Sequence, residues 1–379
     1  MVSTVSDVDN NVYCSVSPGI VLKVASDGTL VWQNSILQSG VAVSVSKLSG
    51  LSLNLIPIIG GTGSGAVSSR PATVLLNSDG TISSSKYINT GVSSFFSGAA
   101  TSPEGSLYIS GRIISGRTDL FRIYNGSIVT KKTYSNATDG LFFIGGGYGD
   151  TAYLGDPFYG VVSCITKVDS NLSILWKLKS SGFLIKQVVE LNGFAYAVAA
   201  YSSRIYILKF DAGSGTVVWS KILSPALGSC IAVDISGNIY AGGYNTSTKL
   251  GIVLKVNSDG VLQWQRSVSI DGLPSYDSTT ISSISVNDTN NTICMLASPA
   301  YNSTAYSILL SVPTDGTLTG TYTAGGTSVV YANHSASFSS LSPTLSLASV
   351  SFGTSSLSDL NFTTSSSSSS LTYNKVSIP

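Results

Sequence analysis

The chain has 379 residues, of which only 10% are charged, against about 25% in an ordinary globular domain. Lys+Arg is 20 and Asp+Glu is 19, a net charge of +1, so no electrostatic footprint exists for wrapping nucleic acid or coating an anionic membrane. The 43% hydrophobic content is ample for a core, and the single histidine, His334, excludes His-cluster metal sites.

No stretch approaches the roughly 20 apolar residues of a membrane span. The N-terminus lacks a basic segment followed by an apolar one, so no secretory signal is read there. The expected location is the cytoplasm or, by a route that needs no signal, the cell exterior or a virus particle. The four cysteines, Cys14, Cys164, Cys230 and Cys294, form no CxxC. Each sits in an alternating apolar segment and reads as a small buried hydrophobe. A Cys14–Cys294 disulfide is conceivable because the two occupy equivalent positions of the repeat described next.

In chain order, one pattern recurs seven times. Gly19-Ile-Val-Leu-Lys-Val-Ala-Ser-Asp-Gly-Thr-Leu-Val-Trp32 is the first copy and Gly251-Ile-Val-Leu-Lys-Val-Asn-Ser-Asp-Gly-Val-Leu-Gln-Trp264 is nearly identical to it. Weaker copies begin at Thr73, Leu120, Cys164, Tyr206 and Ile308. Each predicts a strand, a tight polar turn and a second strand. The Asp-Gly or Asn-Gly turn supplies the positive φ that a short hairpin needs. The turns at Gly28, Gly80, Gly126, Asn171, Gly215, Gly260 and Gly316 lie 44 to 56 residues apart, close to the period of a four-stranded propeller blade, about 40–50 residues. Upstream of each hairpin lies a second strand–turn–strand segment, clearest in Ile231-Ala-Val-Asp-Ile-Ser-Gly-Asn-Ile-Tyr240, with relatives ending at Tyr13, Tyr108, Tyr153 and Tyr196. Four strands per blade follow, A to D.

All four tryptophans, Trp32, Trp176, Trp219 and Trp264, occupy one slot after the turn. A large ring there is expected to wedge between adjacent blades. Ser84, Thr130 and Gly320 stand near that slot in the other copies. The chain reads as starting on a B strand, Val12–Val16, so Thr327–Ala332 is expected to complete blade one and close the fold.

The pattern A-V-D-x-S-G-N-I-Y … L-K-V-x-S-D-G-x-L-x-W resembles the seven-bladed propeller repeats called SBBP and the broader quinoprotein-like propellers, over about residues 7–332. The resemblance implies an all-β, seven-bladed β-propeller over residues 1–334, and it leaves function open. A quinone-dependent dehydrogenase of that type would hold a calcium-bound cofactor on Asp or Glu, often beside a vicinal Cys pair. The chain has no Cys-Cys and few acids, so no cofactor, no metal and no enzyme activity are expected. Gly145-Gly-Gly-Tyr-Gly149 precedes a strand and not a helix, so it reads as an A–B connection and not a phosphate loop.

Residues 335–379 hold 18 serines in 45 residues with one Asp and one Lys, a composition that suggests disorder. Yet Phe338, Leu341, Leu345, Leu347, Val350, Phe352, Leu357, Leu360 and Phe362 recur at short intervals. This extension is expected to dock on the propeller, on another copy or on a larger assembly, and an intermolecular contact is the favoured reading. Five blades carry a cation on strand C, Lys23, Arg122, Lys167, Lys209 and Lys255, whose stems are expected to pack between blades while the charges reach solvent. The B–C loops carry Phe158, Tyr159, Tyr201, Tyr244 and Tyr301, with Arg112, Arg117 and Arg204, a candidate face for a glycan or protein receptor. A propeller joined to a Ser/Thr-rich end is similar in layout to tailed-phage virion proteins. That implies a non-enzymatic structural or adhesive virion component, such as a tail appendage or decoration, with other virion proteins as partners. A cellular scaffold propeller is the alternative.

Overall fold

The computed structural model describes residues 3–6, 11–16, 20–25, 29–38, 41–42, 44–48, 56–61, 71–88, 94–113, 117–124, 127–135, 142–155, 162–181, 184–273, 277–299, 307–324, 327–340, 345–347, 353–354, 359–361 and 365–368. All regular structure among them is β. Two compact units divide the chain. The first holds Met1–Val24, Leu30–Ile185 and Thr344–Ser370, and the second holds Ala25–Thr29, Lys186–Pro343 and Leu371–Pro379.

The first unit contains four meander sheets. Sheet one is β1 (Ser3–Ser6), β2 (Val12–Val16), β3 (Ile20–Val24) and β4 (Leu30–Gln38), with β5 (Val41–Ala42) beside β4. Sheet two is β6 (Ser44–Leu48), β7 (Ile56–Gly61), β8 (Pro71–Leu76) and β9 (Ile82–Ile88). Sheet three is β10 (Ser94–Thr101), β11 (Leu107–Ile113), β12 (Arg117–Tyr124) and β13 (Ser127–Ser135). Sheet four is β14 (Phe142–Gly147), β15 (Thr151–Gly155), β16 (Val162–Val168) and β17 (Ile174–Ser181).

The second unit contains three more. Sheet five is β18 (Leu184–Leu191), β19 (Phe194–Tyr201), β20 (Arg204–Asp211) and β21 (Val217–Ser224). Sheet six is β22 (Leu227–Val233), β23 (Ile239–Tyr244), β24 (Gly251–Val256) and β25 (Leu262–Ile270). Sheet seven has three strands, β26 (Thr279–Asn287), β27 (Thr292–Pro299) and β28 (Ile308–Pro313). The fold is therefore a β-propeller with six complete four-stranded blades, one fewer than the repeat count predicts. The seventh copy lacks its outer strand, because the segment after its turn, β29 (Gly320–Ala324), pairs instead with β30 (Thr327–Asn333) on the edge of sheet six.

Two expectations about closure are corrected here. Blade one has its own first strand, since Ser3–Ser6 pairs with Val12–Ser15. This polar segment, Ser-Thr-Val-Ser, is too short to announce itself as a strand. With that place filled, Thr327–Asn333 adds to β25, in the register Val268↔Tyr331.

Within each unit the middle strands are the most buried, because sheets pack against one another there, and they read as nearly unbroken apolar runs. β19, Phe-Ala-Tyr-Ala-Val-Ala-Ala-Tyr, and β20 are almost wholly buried, whereas the outer strand β21 alternates. Between sheets three and four the core is Ala100, Tyr108 and Leu120 against Phe143, Leu154 and Leu172. Between sheets six and seven it is Tyr240, Val253 and Trp264 against Ile281, Met295 and Leu310.

The C-terminal extension is built into these sheets. β31 (Ser337–Ser340) pairs with β21, β32 (Leu345–Leu347) with β17, β33 (Gly353–Thr354) with β13, β34 (Asp359–Asn361) with β9 and β35 (Ser365–Ser368) with β4. Together with β30 these strands visit sheets six to one in reverse chain order, each antiparallel to the outermost strand. The described part of the extension thus lies on its own propeller, one of the expected docking places. The physical reason is that every meander leaves an outer edge of unpaired amides and carbonyls, and the nearest strand to satisfy it belongs to the same chain. Phe338 is the one predicted assembly residue whose side chain is described, and it packs on the core of sheets five and six. Of the others, Leu345, Leu347 and Leu360 are described as strand backbone only, and Phe352, Leu357 and Phe362 lie outside the described residues.

Candidate interaction surface

The third-to-fourth-strand turns show how one repeated sequence positions one sheet on the next. In sheet six, Asn257 Oδ1 accepts the amides of Asp259 (3.1 Å) and Val261 (2.8 Å), and Gly260 takes φ +81°. Asp79 and Asp315 cap the equivalent turns by accepting the amides of Thr81 and Thr317. A register shift follows on the third strand, between Lys255 and Val256, and recurs in sheets one to five. The residue at that bulge is the predicted cation in five of these sheets, and Leu75 in sheet two.

Across the bulge runs a cross-strand row. Tyr240 pairs with Lys255 and Lys255 with Trp264. Tyr13–Lys23–Trp32, Tyr153–Lys167–Trp176 and Tyr196–Lys209–Trp219 repeat it. Lys Nζ lies 5.2–5.5 Å from the tyrosine centroid in all four rows, within cation–π range. Trp219 Nε1 and Lys209 Nζ both donate to Ser258 O on sheet six, at 3.0 Å each. Trp264 Nε1 (3.1 Å) and Lys255 Nζ (3.2 Å) donate to Thr314 O on sheet seven, and Trp32 Nε1 (2.9 Å) donates to Ser78 O on sheet two. The cations were expected to reach solvent; Lys167 and Lys209 are instead buried, 6% and 8% exposed. Burial lowers the Lys209 pKa, with the Asp259 charge opposing. A ring face and a turn carbonyl replace the water that a buried ammonium loses.

Two further residues of this joint escape the repeat pattern. Two positions past the tryptophan, Asn34 Nδ2 donates to Gly80 O (2.9 Å) and Arg266 Nε to Gly316 O (2.8 Å). The turn glycines are fixed twice, by positive φ and by the ring beyond. A Cβ on Gly316 would stand 2.7 Å from Trp264, and one on Gly260 3.1 Å from Trp219 and 2.7 Å from Lys221 Cε. Where the preceding sheet has Thr130 in place of a tryptophan, Thr130 Oγ1 still donates to the same carbonyl, Ser170 O, at 3.1 Å. The left-handed position is then Leu172 (φ +56°), fully buried, and not Asn171 as the turn alignment suggests.

A polar joint links the first-to-second-strand turns of sheets three and four. Asp150 accepts from Arg122, from Ser102 Oγ (3.0 Å) and, at its carbonyl, from Tyr108 (2.6 Å). Burial opposes ionisation of Asp150, but hydrogen bonds from Ser106 and Ser102 and the Arg122 charge hold its carboxyl below the ordinary value. Burial and the Asp150 charge push Tyr108 up. Gly145–Gly147 close β14, and Tyr148 and Gly149 lie in the first-to-second-strand connection that leads into β15.

At the opposite end of the sheets, the predicted loop residues close the strands themselves. Tyr201 pairs with Arg204 across a two-residue turn in which Ser202 and Ser203 are both left-handed, φ +45° and +59°. Tyr201 is 51% exposed and Arg204 is exposed. Tyr244 ends β23 opposite Gly251 and is half-buried. Arg112 and Arg117 lie within β11 and β12, with side chains outside the described residues, as are Phe158, Tyr159 and Tyr301 altogether. His334 follows β30, its Nε2 3.4 Å from Asn245 Nδ2, and burial lowers its pKa. All four cysteines are buried and none forms a disulfide. Among the described residues no group of three or more His, Cys, Asp or Glu could hold a metal ion, and no helix is long and apolar enough to cross a membrane.

No protein-family model matches the chain, and no curated protein matches it. Among solved structures it is similar to the Cps50 (Swd1) β-propeller domain of Myceliophteria thermophila, at 10% identity over 88% of this chain and 96% of that chain, TM-score 0.57. It is also similar to the C-terminal WD40 domain of Sif2, at 10% identity over 82% of this chain and 80% of that chain, TM-score 0.52. At such identity the likeness concerns the fold, which is that of a β-propeller.

Proposed function

We propose that the chain is a non-enzymatic binding propeller, a structural or adhesive component of a larger assembly such as the virion of a tailed phage. On this reading its repeats are of the SBBP type, the three-stranded sheet counts as a seventh blade, and the second-to-third-strand hairpins display a receptor-binding face. The observation that carries it is the Tyr201–Arg204 hairpin. An amphipathic ring and a guanidinium stand at the tip of a turn with two left-handed residues, on a sheet whose inner strands are almost fully buried. A rigid base beneath an exposed tyrosine lowers the entropy lost on binding a glycan or protein. The recurring cations and tryptophans are engaged by neighbouring sheets, which favours binding over catalysis. On this reading the C-terminal extension, besides edging the chain's own sheets, anchors the protein in the assembly while the propeller displays the binding face.

The test is a glycan array probed with the whole protein and with Tyr201→Ala. The proposal expects a bound glycan class for the wild type and at least a tenfold loss for the variant at unchanged melting temperature, since one tyrosine anchor carries about 2 kcal/mol. No binding to glycans or to purified receptor proteins, or binding indifferent to Tyr201, would reject it. Proteomics of virus particles from the source separates the virion reading from a cellular scaffold.

A further inference from the structure

We propose that the Tyr201–Arg204 hairpin takes an acidic glycan, with a sugar ring on the tyrosine face and the sugar's anionic group, a carboxylate or a sulfate ester, on the Arg204 guanidinium. The inference rests on the reading of this hairpin as a binding site and adds the class of ligand. Tyr201 and Arg204 are directly opposed in the β19–β20 register. Opposed residues of an antiparallel pair project to one face, with Cβ atoms about 4.5–5.5 Å apart. A ring and a cation therefore stand side by side on the last rung before the turn. The rung Ala199↔Tyr206, next on the same face, is buried. The tip is held in place: Ser202 and Ser203 are both left-handed, and the Ser203 carbonyl accepts the amide of the fully buried Ala226 at 2.8 Å.

The charge at this tip points to the ligand. Arg122 is paired with Asp150, Arg266 donates to Gly316 O and Lys209 to Ser258 O. By contrast, among the described residues no hydrogen bond or ion pair engages the Arg204 guanidinium or the Tyr201 hydroxyl. A guanidinium offers a planar fork that grips a carboxylate or an oxyanion ester through two parallel hydrogen bonds. The apolar face of the neighbouring ring suits the C–H side of a pyranose, and the exposed Ser202 between them offers a hydroxyl to the sugar's own. A tip of four residues is small against the about 800 Å² that each partner buries in a standard protein interface, which favours a glycan over a protein. The net charge of +1 gives the chain no general pull on anions, so a preference for acidic sugars has to come from Arg204 itself.

An array carrying the same glycans in neutral, carboxylated and sulfated forms tests this. It is probed with the whole protein, with Tyr201→Ala, Arg204→Gln and Arg204→Lys, and with the charge-matched control Lys179→Gln, an exposed cation on β17. The wild type and the control are expected to bind an acidic form about tenfold or more better than its neutral counterpart, and the form bound identifies the anion. Arg204→Gln loses that preference at unchanged melting temperature, and Arg204→Lys, which keeps the charge without the fork, retains only part of it. Glycan binding that needs Tyr201 but ignores the anionic group would overturn the inference and leave the hairpin standing as a binding site. Acid preference that survives Arg204→Gln, or that Lys179→Gln also removes, overturns it too, as does binding confined to glycan-free receptor proteins. Absence of any Tyr201-dependent binding overturns it together with the reading on which it rests.

Discussion

Leu172 shows how one residue answers another across a joint. A left-handed position normally favours glycine, and Gly80, Gly260 and Gly316 hold it where a tryptophan lies beyond. Beside Thr130 the same position takes a leucine, fully buried in the core between sheets three and four. Leu172→Gly is therefore predicted to destabilise by ~2–4 kcal/mol through a cavity, although it relieves the backbone, whereas Gly260→Ala destabilises by more than ~1 kcal/mol. Urea unfolding of the two variants checks both signs. The thiols give a second prediction. Burial pushes Cys230 up to about 12 and raises Cys294 as well, and only thiolates react. A thiol reagent at pH 8 should leave all four cysteines untouched in the native protein and label four after denaturation. The third concerns His334. Burial lowers its folded pKa from 6.5, so the unfolded chain binds the proton first. Stability is then fully present above about pH 6.5 and falls as pH drops toward the folded value. Thermal melts at pH 7.5 and 5.5 should show that loss, and His334→Asn should flatten it. The tryptophan slot and the turn glycines were legible in the repeat. The tyrosines were legible as a recurrence, but their place beside the cation needed the strand register, and the residues two past the slot were not legible, because their partner carbonyls lie in the next copy.

At the scale of the strand, hairpin periodicity located the meanders, but the third-strand bulge of sheets one to six was invisible to it. At the third-strand bulge the cation meets a ring and a turn carbonyl, and two of the exposed-looking lysines, Lys167 and Lys209, are buried there. Outer strands were expected to stop each sheet, and here the serine-rich composition misled. Serine supplies little side-chain burial, yet a backbone edge asks only for amides and carbonyls. The interval of apolar residues from Phe338 to Phe362 was the readable trace of one strand per sheet. Gln265 is the strongest described clasp on this segment: its Nε2 donates to Ala336 O (3.0 Å) and its Oε1 accepts from Ala336 N (2.9 Å). Gln265→Ala should raise exchange at residues 336–340 about tenfold or more, while sheets three and four keep their protection.

At the scale of the molecule, the chain runs forward through seven sheets and returns over six of them in reverse. Both units contain sheets built first and edged last, so the edge strands of sheets one to four come from residues that follow all the others in sequence. Long sequence separation between paired strands makes such contacts late in folding. Fold class was readable because the repeat is local. The return path was not, because each contact joins residues far apart with no shared motif. The most direct measurement pairs Lys179→Cys with Ser346→Cys, which face one another in the β17–β32 register, in the full chain carrying Cys164→Ala, since Cys164 stands opposite Lys179, under mild oxidation. The account predicts a disulfide within one molecule, and none when Lys179→Cys is combined with Asn361→Cys, whose strand edges sheet two. Cross-links that form only between molecules, or equally well with either partner, would contradict it.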